Sequence, residues 1–409
     1  MANCQILPTN FPKKYTPLHL SQHSSNVNNY SYSPLCDLRF ASSLPALVTR
    51  STNFSARLKA TPSDTRSKTS ELASEVNLDD LGFKPVPTDY MFVMKCEGSD
   101  KFSDGELQPF GEIELNPFSS ALNYGQGLIE GLKAYKKEDD SVLLFRPEAN
   151  ALRMRMGADR MCMPAPTVDQ FVEAVKATVS ANKRWIPSSN KGFLHIRPLL
   201  LGSGPVLSLK PSLDYIFLII VSPVKNYFES GAEPINLVVE NAVHRAVPGG
   251  VGNIKAIGNY AMIMNNQDAA KGNGFDDVLY LDAVHNKYLE EISTANIFIV
   301  KEKTICTPDL RGTILPGITR ESIVDIALSH GFQVEERLIS VEELYSAEEV
   351  FCTGNAVGLL PVGTVTYQGK RLSYRGGGHG TVSWKLSSEL TNIQMGLTED
   401  KRGWTFVLK

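Results

Sequence analysis

A break in composition near the start of the chain limits what it can fold into more than any motif does. The first 60 residues hold one acidic residue, Asp37, against six basic ones, Lys13, Lys14, Arg39, Arg50, Arg57 and Lys59, and are rich in serine, threonine and asparagine. Acid-poor, hydroxyl-rich and without the compact apolar run of a secretory signal, residues 1–60 read as an organellar transit peptide. Abundant serine with little arginine favours a plastid, with a mitochondrion as the alternative. A disordered tail is the competing reading of the same composition. Residues 61–80 turn acidic and polar and read as a disordered linker. Folding is therefore expected from about residue 81, leaving enough chain for two domains with separate cores.

Over all 409 residues, 42% hydrophobic and 21% charged content fit a globular protein rather than a fibrous or disordered one. A net charge of -3 offers no basic surface for nucleic acid or an acidic membrane. The longest apolar run, around 215–221, is far too short to span a bilayer. Six cysteines, Cys4, Cys36, Cys96, Cys162, Cys306 and Cys352, show no C-x-x-C pair and no metal-like spacing to histidine. They read as reduced thiols, and no metal site is expected.

Periodicity places strands at 90–96, 113–115, 141–146, 192–198 and 214–222. Helices are expected at 147–161, with Pro147 in the first turn, and at 168–183, where Phe171, Val172, Val175 and Val179 share a face. The glycine-broken segment 122–135 reads as a loop leading into an element. These make 81–221 a smaller N-terminal domain. Residues 222–232 carry the proline, glycine and charge of an interdomain loop. A larger domain, 233–409, follows, with strands at 235–240, 276–281, 295–301, 333–336, 349–353 and 359–362, and helices at 260–271 and 318–330. Strands and helices mixed in this way define an α+β chain.

The stretch RAVPGGVGNIKAIGNY, from Arg245 to Tyr260, delivers Lys255 from a turn containing Gly249, Gly250 and Gly252. Glycines permit a left-handed backbone and close approach to a ligand, so Lys255 can point into a pocket. On spacing alone, a solvated loop lysine is the ordinary reading. A phosphate-binding P-loop is not matched, because Ala256 follows the lysine.

Nine stretches in order, LNYGQGLIEGLKAY, LLFRPEANALRM, HIRPLLLGSG, SPVKNYF, HRAVPGGVGNIKAIGNY, DVLYLD, LEEISTANIFIV, GTILPGITR and FCTGNAVGLLPVG, resemble one family. It is the plant plastid branched-chain amino acid aminotransferases, which are fold-type IV enzymes dependent on pyridoxal 5'-phosphate. The resemblance implies an α/β N-terminal domain and a larger mixed, barrel-like cofactor-binding domain. It makes Lys255 the catalytic Schiff-base lysine, a role suited to an amine whose pKa is lowered by its surroundings. It puts Glu291 on the ring nitrogen, leaving Glu290 as a solvated strand edge. Tyr260 falls on the phenolic oxygen, and Arg153, the helix start at Ile318 and Thr319, and Asn355 fall on the phosphate. Substrate positions are Tyr124, Ile129, His195, Arg197, Tyr227, Thr294 and Ala356, with Arg197 receiving the distal carboxylate of glutamate and Tyr227 on a lid. Leucine, isoleucine and valine would exchange amino groups with 2-oxoglutarate. Two further inferences from the family are a homodimer and small-molecule partners only.

Four positions depart from the family pattern. Ile129 replaces a phenylalanine, His195 a tyrosine, Asn355 a threonine and Lys225 a glycine. The first two alter the pocket's shape and polarity, and Asn355 trades a hydroxyl for an amide. The redox C-x-x-C of some animal relatives is absent, with Val357 and Leu360 in its place. Other readings are a D-amino-acid aminotransferase, an aminodeoxychorismate lyase, or a weakly active or non-catalytic homologue that binds the cofactor.

Overall fold

The computed structural model describes Gly82 and residues 84–98, 101–188, 191–225 and 233–408. The expected transit peptide (1–60) and linker (61–80) lie outside the described residues, as does most of the expected interdomain loop. Two sheets organise the rest.

The strands of the first sheet are β1 (Tyr90–Glu97), β2 (Glu106–Pro109), β3 (Gly127–Ile129), β4 (Leu132–Lys136), β5 (Val142–Phe145), β6 (Gly192–Gly202) and β7 (Asp214–Lys225). They run antiparallel in the order β5-β4-β6-β7-β1-β2, with β3 also on β6. The strand expected at 113–115 does not form, since β1 is already paired on both sides, by β7 and β2.

In β6 the side-chain period of two sends Leu194, Ile196 and Leu200 into the core and leaves half-buried His195, Arg197 and Leu199 on the other face. That alternation brings His195 and Arg197 together. The core face is covered by helices α2 (Pro147–Arg160) and α3 (Val168–Ala181), which follow a short α1 (Ser120–Tyr124). α3 opens with a capping box, Thr167 Oγ1 accepting from Gln170 N–H and Gln170 Oε1 from Thr167 N–H. The expected stripe of Phe171, Val172, Val175 and Val179 is buried as read.

The second sheet comprises β8 (Ile235–Glu240), β9 (Asp277–Leu281), β10 (Leu289–Ile292), β11 (Asn296–Lys301), β12 (Thr304–Thr307), β13 (Gln333–Glu336), β14 (Glu349–Gly354), β15 (Gly358–Tyr367) and β16 (Lys370–Ser373). The path β10-β9-β8-β15-β14-β11 closes on itself where Glu291 pairs with Asn296, forming a barrel. Ile297, Ile299, Val350 and Cys352 fill its interior. The alternate residues Phe298, Val300 and Phe351 face outward, under α6 (Ile318–Ser329) and α7 (Val382–Gln394). The rings of Phe298 and Phe351 stack with centroids 4.9 Å apart.

The helix expected at 260–271 is broken into α4 (Gly258–Ala261) and α5 (Met264–Gly272). The break lets Ile263 turn into a cluster with Ala270, Val278 and Tyr280. A last strand, β17 (Thr405–Leu408), returns to the first sheet and pairs with β5. Among the described residues no helix is long and apolar enough to cross a membrane.

Candidate active site

Lys255 is fixed by backbone pairing on both sides. Gly249 takes a left-handed angle (φ 78°), and the chain beyond it bridges to β3. Ile129 N–H donates to the Lys255 carbonyl at 3.0 Å and Ile257 N–H to that of Gly127 at 3.1 Å. Asn259 holds the turn by donating to the carbonyls of Val251 and Ile254, each at 2.9 Å. The Lys255 Nζ donates to the Tyr260 hydroxyl at 2.9 Å and opens on a cleft shared with Arg153, Glu291, Thr294, Ile318, Thr319 and Asn355. The lysine is thus not a solvated loop residue.

At one end of the cleft lies a buried ion pair, Arg245 Nη1 to Glu291 Oε1 at 2.7 Å, with both side chains almost fully enclosed. The same oxygen accepts from Leu315 N–H at 2.9 Å. Burial raises the Glu291 pKa, opposed chiefly by the Arg245 guanidinium, which favours the ionised carboxylate. Glu290 is not the solvated edge that was expected. It is buried, accepts from Thr313 Oγ1 at 2.7 Å, and its pKa is pushed up to about 7 by desolvation. The cause is barrel closure, which covers both faces of β10.

At the other end, α6 begins at Gly317 with no side-chain cap, so its first N–H groups are left for a ligand. Arg153 lies beside them, its guanidinium bidentate to Glu130 at 2.7 and 2.8 Å and donating to the Pro316 carbonyl at 3.1 Å. Glu130 is fully buried and also accepts from Asn150 at 2.7 Å. Part of the arginine fork remains free, and its position is set by the carboxylate. The Asn355 Nδ2 is buried without a hydrogen-bond partner and faces Gly131, where a Cβ would come within 3.1 Å of it. This cleft offers an amine, a paired carboxylate, uncapped helix amides and an orphaned amide donor. Those groups answer in turn the aldehyde, ring nitrogen and phosphate of pyridoxal phosphate, so the residues fit that cofactor.

A second cavity, of about 370 Å³, opens beyond His195, Arg197 and Ala356 and is walled by Pro85, Val86, Phe110, Phe193 and Val221. Arg197 Nη2 lies 3.1 Å from His195 Nε2, while its buried Nε has no partner. Burial, followed by the charges of Arg197, Lys133 and Lys255, lowers the His195 pKa to about 3. His195 is therefore neutral, and its Nε2 accepts from the guanidinium.

Three expected substrate residues stand apart. Tyr124 is 42% exposed and bonds the Leu207 carbonyl at 2.7 Å, outside the cleft's lining, because α1 is tied to the C-terminal end of β6 at Gly202 and to Pro205 just beyond it. Tyr227 lies outside the described residues. Ile129 reaches Lys255 through its backbone, and its side chain lines neither cavity. Sequence reasoning did not assign Glu130, Asn150, Arg245, Asn259 or Asn296. A lone glutamate among glycines and leucines was a signal, since a carboxylate buried there needs a partner.

Fold and site together define a class: enzymes that hold a phosphorylated aldehyde covalently at the rim of a closed β-barrel. A model of the family described as amino-transferase class IV matches residues 127–365, and the chain belongs to this family. It is 62% identical over 349 residues to branched-chain amino acid aminotransferase 2, chloroplastic, of Humulus lupulus, covering 85% of each chain. It is 60% identical over 338 residues to branched-chain-amino-acid aminotransferase 5, chloroplastic, of Arabidopsis thaliana, covering 83% of this chain and 81% of that one. The crystal structure of the Escherichia coli branched-chain amino acid aminotransferase superposes with a TM-score of 0.67 at 27% identity, covering 78% of this chain and 98% of that one.

Proposed function

We propose that this chain is a pyridoxal-phosphate-dependent transaminase that interconverts leucine, isoleucine and valine with their 2-oxo acids, using 2-oxoglutarate and glutamate as the other pair. The observation that carries the reading is the convergence of Lys255, the Glu291–Arg245 pair and the uncapped start of α6 on one cleft. When bound, the cofactor supplies an aldehyde for covalent attachment of amines and a ring that takes up electron density.

The chain's residues supply the rest. Lys255 moves the proton at the substrate Cα, with its amine oriented by Tyr260. Glu291 keeps a proton on the ring nitrogen, and Arg245 keeps Glu291 ionised. The amides of Ile318 and Thr319, with Arg153 and Asn355, hold the phosphate. Pro85, Val86, Phe110 and Val221 make an apolar wall suited to a branched side chain, and the incompletely bonded Arg197 suits a distal carboxylate. Thr294 and Ala356 border the space between the two cavities.

Residues 81–221 and 233–409 are assigned to a smaller and a larger domain, with β17 added to the sheet of the smaller one. Plastid location agrees with the composition of residues 1–60 and with the names of the plant relatives. A homodimer is supported by the exposed apolar residues Phe118, Leu122 and Leu207 near Tyr124, the last tied to it by the tyrosine hydroxyl. In a dimer that patch is covered and Tyr124 completes a site across the interface.

The test is to supply purified residues 61–409, loaded with cofactor, with L-leucine and 2-oxoglutarate. Glutamate formation is expected. Turnover of a D-amino acid in its place overturns the reading, as does a coloured protein that no amino acid bleaches.

A further inference from the structure

A third cleft, lined by different residues from the cofactor and substrate cavities, lies between β4, β15 and α7. It has a volume of about 280 Å³, and Lys133, Tyr135, Leu359 and the α7 residues Ser387, Ser388 and Thr391 line it. Lys133 is only 5% exposed, and desolvation lowers its pKa to about 7. Among the described residues its side-chain amine has no hydrogen-bond or salt-bridge partner. Its contacts are aromatic faces, with Nζ 4.2 Å from the centre of Phe193 and 5.9 Å from that of Tyr135. An ammonium so enclosed without an anion is costly, and no aspartate or glutamate lines the cleft.

The opposite wall has an unusual pattern. In α7 the residues Leu386, Leu390 and Ile393 form the core stripe. Ser387 and Ser388, with Thr391 and Gln394 three or four residues further on, line the cleft with hydroxyl and amide groups that can donate to an acceptor. One cation, several neutral donors and the apolar wall of Leu359 and Pro361 suit a singly charged carboxylate on a small apolar body. A phosphate dianion would call for a second cation, and none lines the cleft, or for free helix N–H groups, whereas the first-turn amides of α7 at Val382, Ser383 and Trp384 already donate to Glu349 and Thr381.

We propose that this cleft binds a small organic monocarboxylate at Lys133 and that occupancy alters turnover at the active site. The coupling route is short. The cleft's wall at Val357 and Gly358 directly follows the Asn355–Ala356 turn, which borders the cofactor and substrate cavities. Lys133 also pairs across β4–β6 with His195, so an anion beside it offsets one of the charges acting on that histidine.

The probe is 3-methylbutanoate, a carboxylate with no amino or oxo group to exchange. Equilibrium dialysis against the cofactor-loaded protein is expected to find two sites per chain, one in the substrate cavity and one at Lys133. Steady-state kinetics should resolve a competitive component and a noncompetitive one. Lys133→Met and Thr391→Trp, which fills the cleft from the helix side, should each remove one site and weaken the noncompetitive component at least tenfold. The competitive component should remain in both. One site per chain in the unmodified protein overturns the proposal, as does a noncompetitive component that survives both variants. Dialysis reads binding without turnover, so failure here is distinguishable from failure of the assigned reaction.

Discussion

The two ends of the active site are built on opposite principles. At the end assigned to the ring nitrogen Glu291 is held by Arg245, Leu315 N–H and, more distantly, Asn296, and is buried. At the end assigned to substrate the Nε of Arg197 is buried and unbonded, and His195 is kept neutral beside it. An ion pair that never changes partner can be sealed into a barrel closure. A site that alternates between an apolar side chain and a carboxylate must leave donors open, and it bears the desolvation cost between ligands.

The contrast can be broken experimentally, starting with the residue between the two ends. Lys255→Ala should lower turnover by at least about a thousandfold and abolish the absorbance of covalently held cofactor, read by rapid kinetics and spectrophotometry. At the sealed end, Arg245→Met leaves Glu291 charged and unpaired and should cost about 3–5 kcal/mol in denaturant unfolding. The double variant Arg245→Met with Glu291→Leu should recover much of that stability without recovering activity. Recovery of both would show that the pair serves only the fold.

At the open end, Arg197→Met should raise KM for glutamate and 2-oxoglutarate about 10- to 100-fold while changing KM for leucine little, because in the proposed reaction only the acidic substrate uses the unpartnered guanidinium. An equal rise for both amino acids would assign Arg197 to the α-carboxylate instead.

The smallest effects are in pH dependence, and the two ends should differ in sign. The folded pKa of His195, about 3, lies below the unfolded value of about 6.5. Its contribution is therefore present above pH 6.5 and is lost as pH falls toward 3. The folded pKa of Glu290, about 7, lies above its unfolded value of about 4.3. Its contribution is present below 4.3 and is lost as pH rises through 7. Unfolding midpoints measured from pH 5 to 7.5 should rise less steeply with pH in His195→Gln and more steeply in Glu290→Gln than in the unmodified protein. Slopes that change in the same direction would contradict the assignment.

Local pattern and ordered motifs made the placement of Lys255 beside Tyr260, the family and most strands and helices legible in the sequence. Lys255 lies on a turn whose glycine spacing is local, and α3 carries its own cap and its own apolar stripe. Other features depend on residues far apart in the chain. Glu130 with Arg153, Arg245 with Glu291, and β17 on β5 join segments that no window of sequence connects. Glu290 shows the limit most clearly. By pattern it is a charge at a strand edge, and only closure of the barrel around β10 removes its water and makes it a buried acid. The sequence determined which groups the chemistry has available. Tertiary structure decided which of them are desolvated and paired, because burial and partnership arise from contacts between distant parts of the chain.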